Sequence, residues 1–403
     1  MALATGVFKQ LAYKVESTYG ALPAAASAQA LRRVSSSLDL SKDTYQSNEI
    51  RTDLQVADFR HGVRRVKGSI SGELSAKTYS DFIAAALKRD FAAVSAISGA
   101  SITIAGSGPT YTVTRAAGSF LTDGVKLGDI IRLSVGTLNA LNINKNLMVV
   151  TLTATVATVI VVNATAMFAE GPIASTTVTV FGKKTFVPTS GHTDKSYSIE
   201  HWYSDVAQSE TFRGCKVQKV AVQLPPSGMA TIGIDFTGMD VTTGTVQYFT
   251  SPTAATTSGV LAAVNGVVRL NGITVAILTG LNFTIDCGTT GDAVVGQNVV
   301  PNQFPGSVKV SGQATAYFQD ATLRDVFLNE TEVDLYAVFT SSSAATAEFV
   351  QFAFPRIKLG GASKNDGQGG LVQTLPFTAL YNSAGGAGIS SEATTISVQD
   401  SAA

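Results

Sequence analysis

Two stretches of this chain align without a gap: residues 61–74 (HGVRRVKGSISGEL) lie over residues 305–318 (PGSVKVSGQATAYF), so that Gly62 and Gly68 stand 244 positions before Gly306 and Gly312. At the same offset Tyr79, Phe82 and Ile83 meet Leu323, Val326 and Phe327, and Asp81 meets Asp325. Tyr79, Phe82, Ile83, Ala86 and Leu87 recur at the spacing of one helical face, which predicts a helix over 76–91 that covers one face of a sheet. A strand and helix that recur in register predict one fold built twice in the chain.

The order of elements repeats on both sides of this core. Before it, the alternating stretch 34–40 aligns with 281–287, placing Leu38-Asp39 over Ile285-Asp286. After it, 197–203 and the hairpin around Pro225 parallel 333–339, 352–359 and 371–380. The hairpins are plainly marked. Asn271-Gly272 supplies the positive φ angles of a two-residue turn, and Pro225-Pro226-Ser227-Gly228 separates Val220, Val222 and Leu224 from Ile232, Ile234 and Phe236.

Between the first helix and its partner strands lies a long insertion, 92–188. Stretches 102–104, 111–113, 130–133, 147–153, 158–162 and 177–181 read as short strands with Gly-rich turns, the pattern of a small barrel or sandwich. The fold class is mainly β: two tandem β-sandwich units, each with one helix, plus an inserted small β-barrel or sandwich. The expected boundaries are 1–91 for the first part of unit one, 92–188 for the insertion, 189–244 for the rest of unit one, and 245–403 for unit two with a C-terminal arm. An insertion of this size is tolerated where the chain is exposed, so the extra domain is expected on the exterior.

Few classes of chemistry fit. The 29 Lys and Arg balance 29 Asp and Glu, so no basic field draws the chain to nucleic acid or an anionic membrane. Residues 147–169 carry no charge, but threonines interleave with β-branched residues, which fits two paired strands and not a bilayer span. The N-terminal stretch lacks the charged start and apolar core of a signal peptide. Cys215 and Cys287 show no ligand or redox spacing and read as buried thiols in a reducing compartment. His61, His192 and His201 have no zinc spacing, so no metal site is assigned. The 360–370 stretch is glycine-rich but lacks a phosphate-loop ending, and reads as a hairpin loop. Asp123 and Asp129 lack the spacing of a calcium loop. Trp202 reads as a packing residue. No nucleophile, acid–base pair or cofactor motif is assigned, and the chain is expected not to be an enzyme.

Each copy carries a long loop between its first two strands, 41–61 and 288–305, well beyond hairpin length. The first holds Glu49, Arg51, Asp53, Asp58 and Arg60, mixed charges suited to contacts with a neighbouring subunit.

In their order, several segments resemble the major tail tube proteins of long-tailed bacteriophages with non-contractile tails: the arm Glu16-Ser-Thr-Tyr-Gly20 with Leu22-Pro23, the strand 31–40, Glu49-Ile50-Arg51, the strand and helix 62–87, and the ending 375–381 (LPFTALY). The resemblance covers nearly the whole chain and implies sandwich units whose sheets join around a ring. The rings would stack through long loops and arms, and genomic DNA would pass along the lumen without specific binding. It also implies six sandwich units per ring, hence three copies of a two-unit chain, a trimer favoured over a hexamer. The implied partners are the chain itself, a tape measure protein, a tail terminator and distal tail proteins. The implied location is the virion tail, assembled in the host cytoplasm without membrane insertion. A sliding polyanion needs a neutral or acidic lining, for which Asp39, Glu73 and Asp286 are the candidates; they could equally face outer solvent. The alternatives are a tail terminator or distal tail ring, or a cell-surface binding protein that uses the inserted domain.

Overall fold

Strand alternation builds two sandwiches in tandem, and a computed structural model shows how they join. It describes residues 3–163, 165–275, 277–366 and 368–403; Met1, Ala2, Ala164, Ala276 and Gly367 lie outside it, including one position each of the 147–169 and 360–370 stretches. A continuous central sheet runs through both sandwiches. In order it comprises Asp39–Gln46, Phe59–Glu73, Thr231–Gly238, the second half of Gln208–Leu224, Leu278–Asp286, Lys309–Tyr317, Val372–Ala379, and finally the end of Phe349–Leu359 with Ser363–Lys364, every neighbour antiparallel.

Each copy covers its half of this sheet with a flanking sheet. The first uses Lys9–Val15, Tyr197–Tyr203, the first half of Gln208–Leu224, and Asp240–Gly244. The second uses Val267–Leu270, Val333–Thr340, the first half of Phe349–Leu359, and Ser397–Asp400. The pairings repeat in detail. Tyr197 faces Cys215 as Val333 faces Ile357, each followed by an irregularity. Thr231 faces Glu73 as Val372 faces Tyr317. Lys216 faces Thr237 as Lys358 faces Thr378.

The cores follow from the alternation. In the first, Phe82 sits with its ring centroid 4.6 Å from Tyr13, 5.1 Å from Tyr197 and 5.2 Å from Phe236. In the second, Phe283 lies 4.9 Å from Phe352 and 5.1 Å from Phe354. Aromatic pairs at these distances, edge-on except for the tilted Tyr13–Phe82 pair, add to the burial that holds the two layers together.

The helices are shorter than the 76–91 span expected. The first is Ser80–Leu87, bracketed by Lys77 and Lys88, both at positive φ, where an α-helix cannot continue. It buries every residue except Asp81. Asp81 accepts a hydrogen bond from Tyr13 Oη, and its carbonyl accepts one from Tyr197 Oη. The second helix, Thr322–Leu328, fully buries only Val326, with Leu323 and Phe327 half-buried against the core.

Two further expectations are corrected. Pairing with the repeated strand sets Leu40 level with Ile285, not Leu38 as the aligned sequences suggested. The shift is two residues, which leaves every side chain on its face. The 41–61 stretch is partly an extended ribbon, since Asp39–Gln46 and Phe59–Glu73 pair along its base, and the loop proper narrows to the tip, 47–58. By contrast, 288–305 folds back onto the first copy: Arg64 N–H donates to the Asn298 carbonyl and Arg65 to that of Gly291.

The insertion forms a closed barrel of six strands, Ile97–Ala105, Thr110–Arg115, Ile130–Ser134, Leu147–Leu152, Val156–Val161 and Glu170–Val180. Ile102, Val113, Phe120, Leu133, Leu147 and Val159 fill it. The 147–169 stretch thus contains paired strands, and no helix among the described residues is long and apolar enough to cross a membrane. Although the barrel leaves the chain from the first copy, it packs on the second. Ile130, Met148, Ile160 and Val162 form one cluster with Tyr336, Val338, Phe349 and Ala353 of that copy's flanking sheet. The returning strand Lys183–Phe186 then pairs with Ser397–Asp400, placing the C-terminal strand inside the sheet.

Candidate functional site

One face of the central sheet packs on the cores and the other is left to solvent. Along Phe59–Glu73, Val66 and Ile70 are fully buried, whereas Lys67, Ser69, Ser71 and Glu73 point the other way, as period-two geometry requires. Antiparallel register carries this pattern across both copies as rows. Asp235, Lys219, Asp286 and Lys309 form one row, so each cation lies between or beside carboxylates. Next to it, Ser71, Gly233, Ala221, Thr284, Ser311 and Thr378 make a row of small residues. The third row holds Glu73, Thr231, Gln223, Asn282 and Gln313.

Asp39, Glu73 and Asp286 all lie on this solvent-side face. Asp39 stands opposite Lys67 and Asp286 opposite Lys219 and Lys309. The face is therefore polar and close to neutral, its lysines matched by Asp39 and Asp286 and by one acid that was not a candidate, Asp235. Its legible signal was the alternation of Ile232, Ile234 and Phe236, which sends Asp235 outward.

The charged residues of the ribbon tip meet one another. Arg51 pairs with Asp53 at 2.8 Å and Arg60 with Asp58 at 2.7 Å, all exposed, and Glu49 is exposed beside them. What the tip leaves without cover is apolar: Ile50 and Leu54 are 102% and 94% exposed, and Tyr45, Val56 and Phe59 are also open. Large exposed apolar side chains gathered on one short tip are a feature that contact surfaces share.

The central sheet ends in two open edges. Among the described residues, Asp39–Gln46 pairs only with Phe59–Glu73, and Ser363–Lys364 only with Val372–Ala379. Open edges of this kind expose unpaired backbone donors and acceptors to another chain.

The arm that precedes the sheet is anchored by a buried carboxylate. Glu16 accepts hydrogen bonds from the backbone N–H groups of Gly20 and Gly214 and from the hydroxyls of Ser196 and Ser198, at 2.6 to 2.8 Å. Gly20 sits at φ 71°, with the Met239 sulfur where a Cβ would go. Both cysteines are buried free thiols; burial pushes the Cys287 thiol up to about 11 and Cys215 well above its ordinary value, which suppresses thiolate chemistry. Among the described residues no three His, Cys, Asp or Glu side chains cluster as a metal site would.

A family model described as Phage tail tube protein matches residues 9–379, spanning both sandwiches and the barrel between them. No curated protein matches the chain.

Proposed function

The chain belongs to the phage tail tube protein family, and on that premise we propose that it polymerises as stacked rings into the tube through which genomic DNA leaves the virion. The observation that carries this reading is the central sheet: it runs through both copies, turns a polar, charge-balanced face to solvent, and stops at two unlike open edges. Unlike edges make a head-to-tail contact, which closes into a ring when the rotation per unit divides the circle. With two sandwiches per chain, 1–244 interrupted by 92–188 and then 245–403, three chains supply the six units of a pseudo-sixfold ring.

The solvent-side face, with Asp39, Glu73 and Asp286, is the lumen lining in this reading. Its lysines are opposed by carboxylates, so phosphates gain no uncompensated cation to release counterions against, and DNA slides. The barrel sits on the flanking sheet of the second copy, the layer opposite that face, which supports a place on the tube exterior. The ribbon tip, with Glu49, Arg51, Asp53, Asp58 and Arg60, is the contact with neighbouring subunits, Ile50 and Leu54 reaching the next ring. Tape measure, terminator and distal tail proteins are the further partners, and the virion tail, built in the host cytoplasm, is the location.

Negative-stain microscopy of the purified protein, with mass measurement of single discs, tests this. Tubes whose discs weigh three chains and show sixfold lobes are expected. Discs of six chains would retire the trimer, and absence of rings and tubes under all assembly conditions would retire the function.

A further inference from the structure

Within one chain the second copy is fastened to the first by a defined set of contacts. Lys219 to Leu224 pair with Asp286 to Leu281. Beside that ladder, Lys216 Nζ pairs with Asp194 at 2.6 Å and also donates to the Gln303 carbonyl at 2.6 Å and to Asn302 Oδ1 at 3.2 Å. Thr289 Oγ1 donates to the Val217 carbonyl at 3.2 Å, and the Cys287 N–H to that of Gln218 at 2.9 Å.

The second copy carries the same receiving groups, and among the described residues no strand or loop is laid along them as 281–303 is laid along the first copy. Lys358 occupies the place of Lys216: each stands opposite a threonine, and each pairs with an acid at the corresponding position, Glu330 at 2.7 Å for Lys358. The difference is exposure, since the Lys216 side chain is 5% exposed and that of Lys358 is 40% exposed. Next to Lys358, Ser363 takes the place of Ala221 on the open edge. The first copy, in turn, carries the counterparts of the inserting groups on its exposed ribbon, where Asp58 is held by its neighbour Arg60 alone among the side chains described. Thr290 bridges Phe304 as Tyr45 pairs with Arg60, which sets Thr44 level with Thr289 and Asp58 level with Asn302. Asp39 is level with Thr284 by the register of the repeated strand pair.

We propose that the junction inside the chain is repeated between chains, so that the Ser363 edge receives Asp39 of a second copy of this chain and Lys358 binds that copy's Asp58 carboxylate and Phe59 carbonyl. This rests on the ring reading above and adds which edge meets which, and in what register. Thr44 Oγ1 of the incoming copy donates to the Leu359 carbonyl, as Thr289 does to Val217. Asp58 in place of Asn302 turns an ammonium–amide hydrogen bond into an ion pair, which suits a contact that must form between free molecules. The register follows because a one-residue slip would send the apolar Leu40 to the solvent face.

The test is oxidative cross-linking of assembled tubes carrying Asp39→Cys with Ser363→Cys, against a control two residues out of register, Ser41→Cys with Ser363→Cys. Directly opposed positions come within disulfide reach and the control does not. Chains linked head to tail, with closed covalent rings on a non-reducing gel and the control at background, are expected. Alongside, Lys358→Ala and Asp58→Ala should each raise the critical concentration for assembly about tenfold, with no further rise in the double variant, and leave the melting of the unassembled chain unchanged. Tubes that form but cross-link no better in register than out of it would overturn this junction while leaving the tube function standing. Absence of tubes from the unmodified protein would instead remove the function, and this junction with it.

Discussion

Lys184 Nζ lies 2.5 Å from Asp129 Oδ1, and both side chains are buried. Asp129 belongs to the barrel, while Lys184 lies on the strand that returns from it and joins the second copy's flanking sheet. Glu392, near the C-terminus, shares the ammonium at 3.2 Å. One cation thus ties the insertion to a sheet built from the far end of the sequence. Removing it strands two carboxylates, one of them fully enclosed, and loss of one partner from a buried pair costs about 3–5 kcal/mol. Lys184→Met is expected to lower stability by that order in chemical denaturation, with the barrel and the second copy losing their common transition. An unchanged denaturation midpoint would mean the pair holds nothing together.

The neck of the insertion is already closed. Ala92 and Lys184 exchange two backbone hydrogen bonds of 2.9 Å, so a short glycine linker can replace residues 94–182 without moving the first copy. The excision uncovers Tyr336, Val338 and Phe349, apolar side chains that the barrel shields. The shortened chain should therefore aggregate on sedimentation, and adding Val338→Thr and Phe349→Thr should return it to solution. That soluble form is expected to make tubes of normal bore and smaller outer diameter. If it is well folded but makes no tubes, the barrel is part of the assembly machinery and not an outer decoration.

His201 gives the fold an acid limit. Its ring is fully enclosed, with Nε2 2.9 Å from Ser36 Oγ. Burial, reinforced by the cationic Lys9 and Arg33, pushes its pKa down to about 3. The unfolded chain takes up this proton near pH 6.5 and the native one only near pH 3, so between those values the unfolded state binds more protons and stability falls as pH falls. The expected slope from this group is about 1.4 kcal/mol per pH unit. His201→Gln, which keeps a hydrogen bond to Ser36 within reach, should flatten the stability profile between pH 6 and 4. An equal slope in the variant would place the acid sensitivity elsewhere.

What could be read ahead of the structure was local or periodic. The six barrel strands, the Asn271-Gly272 turn with both residues at positive φ, and the gapless repeat all announce themselves within a few residues. What could not be read depends on where distant surfaces meet. Ile130 and Met148 alternate as barrel residues do, yet they face Tyr336 and Phe349 and not the barrel interior. Ser397–Asp400 is too short to show a pattern, though all its residues are buried between two strands. The two long loops look alike as sequences and differ in fate, because among the described residues 288–305 meets a surface of the first copy and the tip 47–58 meets none. The charges at the ribbon tip were legible, but their pairing within the tip, Arg51 with Asp53 and Arg60 with Asp58, was not.

The repeated glycines have a cause that the alignment alone could not supply. At Gly68 a Cβ would lie 2.4 Å from the Ser37 carbonyl oxygen and 2.6 Å from Leu38 Cα, and at Gly312 it would lie 2.4 Å from the Asn282 carbonyl oxygen and 2.8 Å from Phe283 Cβ. At Gly68 the segment that leads into the neighbouring strand occupies the space of the missing side chain, and at Gly312 the neighbouring strand itself does, together with Phe377 Cζ at 2.5 Å. Gly62 differs, since the atoms in its way belong to the exposed Tyr45 ring, which can turn aside. Overpacking that backbone must absorb costs about 1–3 kcal/mol, and Gly68 adds strain because its φ of 149° is open mainly to glycine. The expected order of destabilisation is therefore Gly68→Ala at least as severe as Gly312→Ala, and both well above Gly62→Ala, measured by denaturation of the unassembled chain. Because Ser37 and Leu38 lead directly into the open edge strand Asp39–Gln46, Gly68→Ala should also impair polymerisation beyond its effect on stability. Gly312→Ala, set between two strands already paired within the chain, should affect polymerisation only through stability. Equal polymerisation defects at matched stability would show that the edge strand is held independently of this close approach.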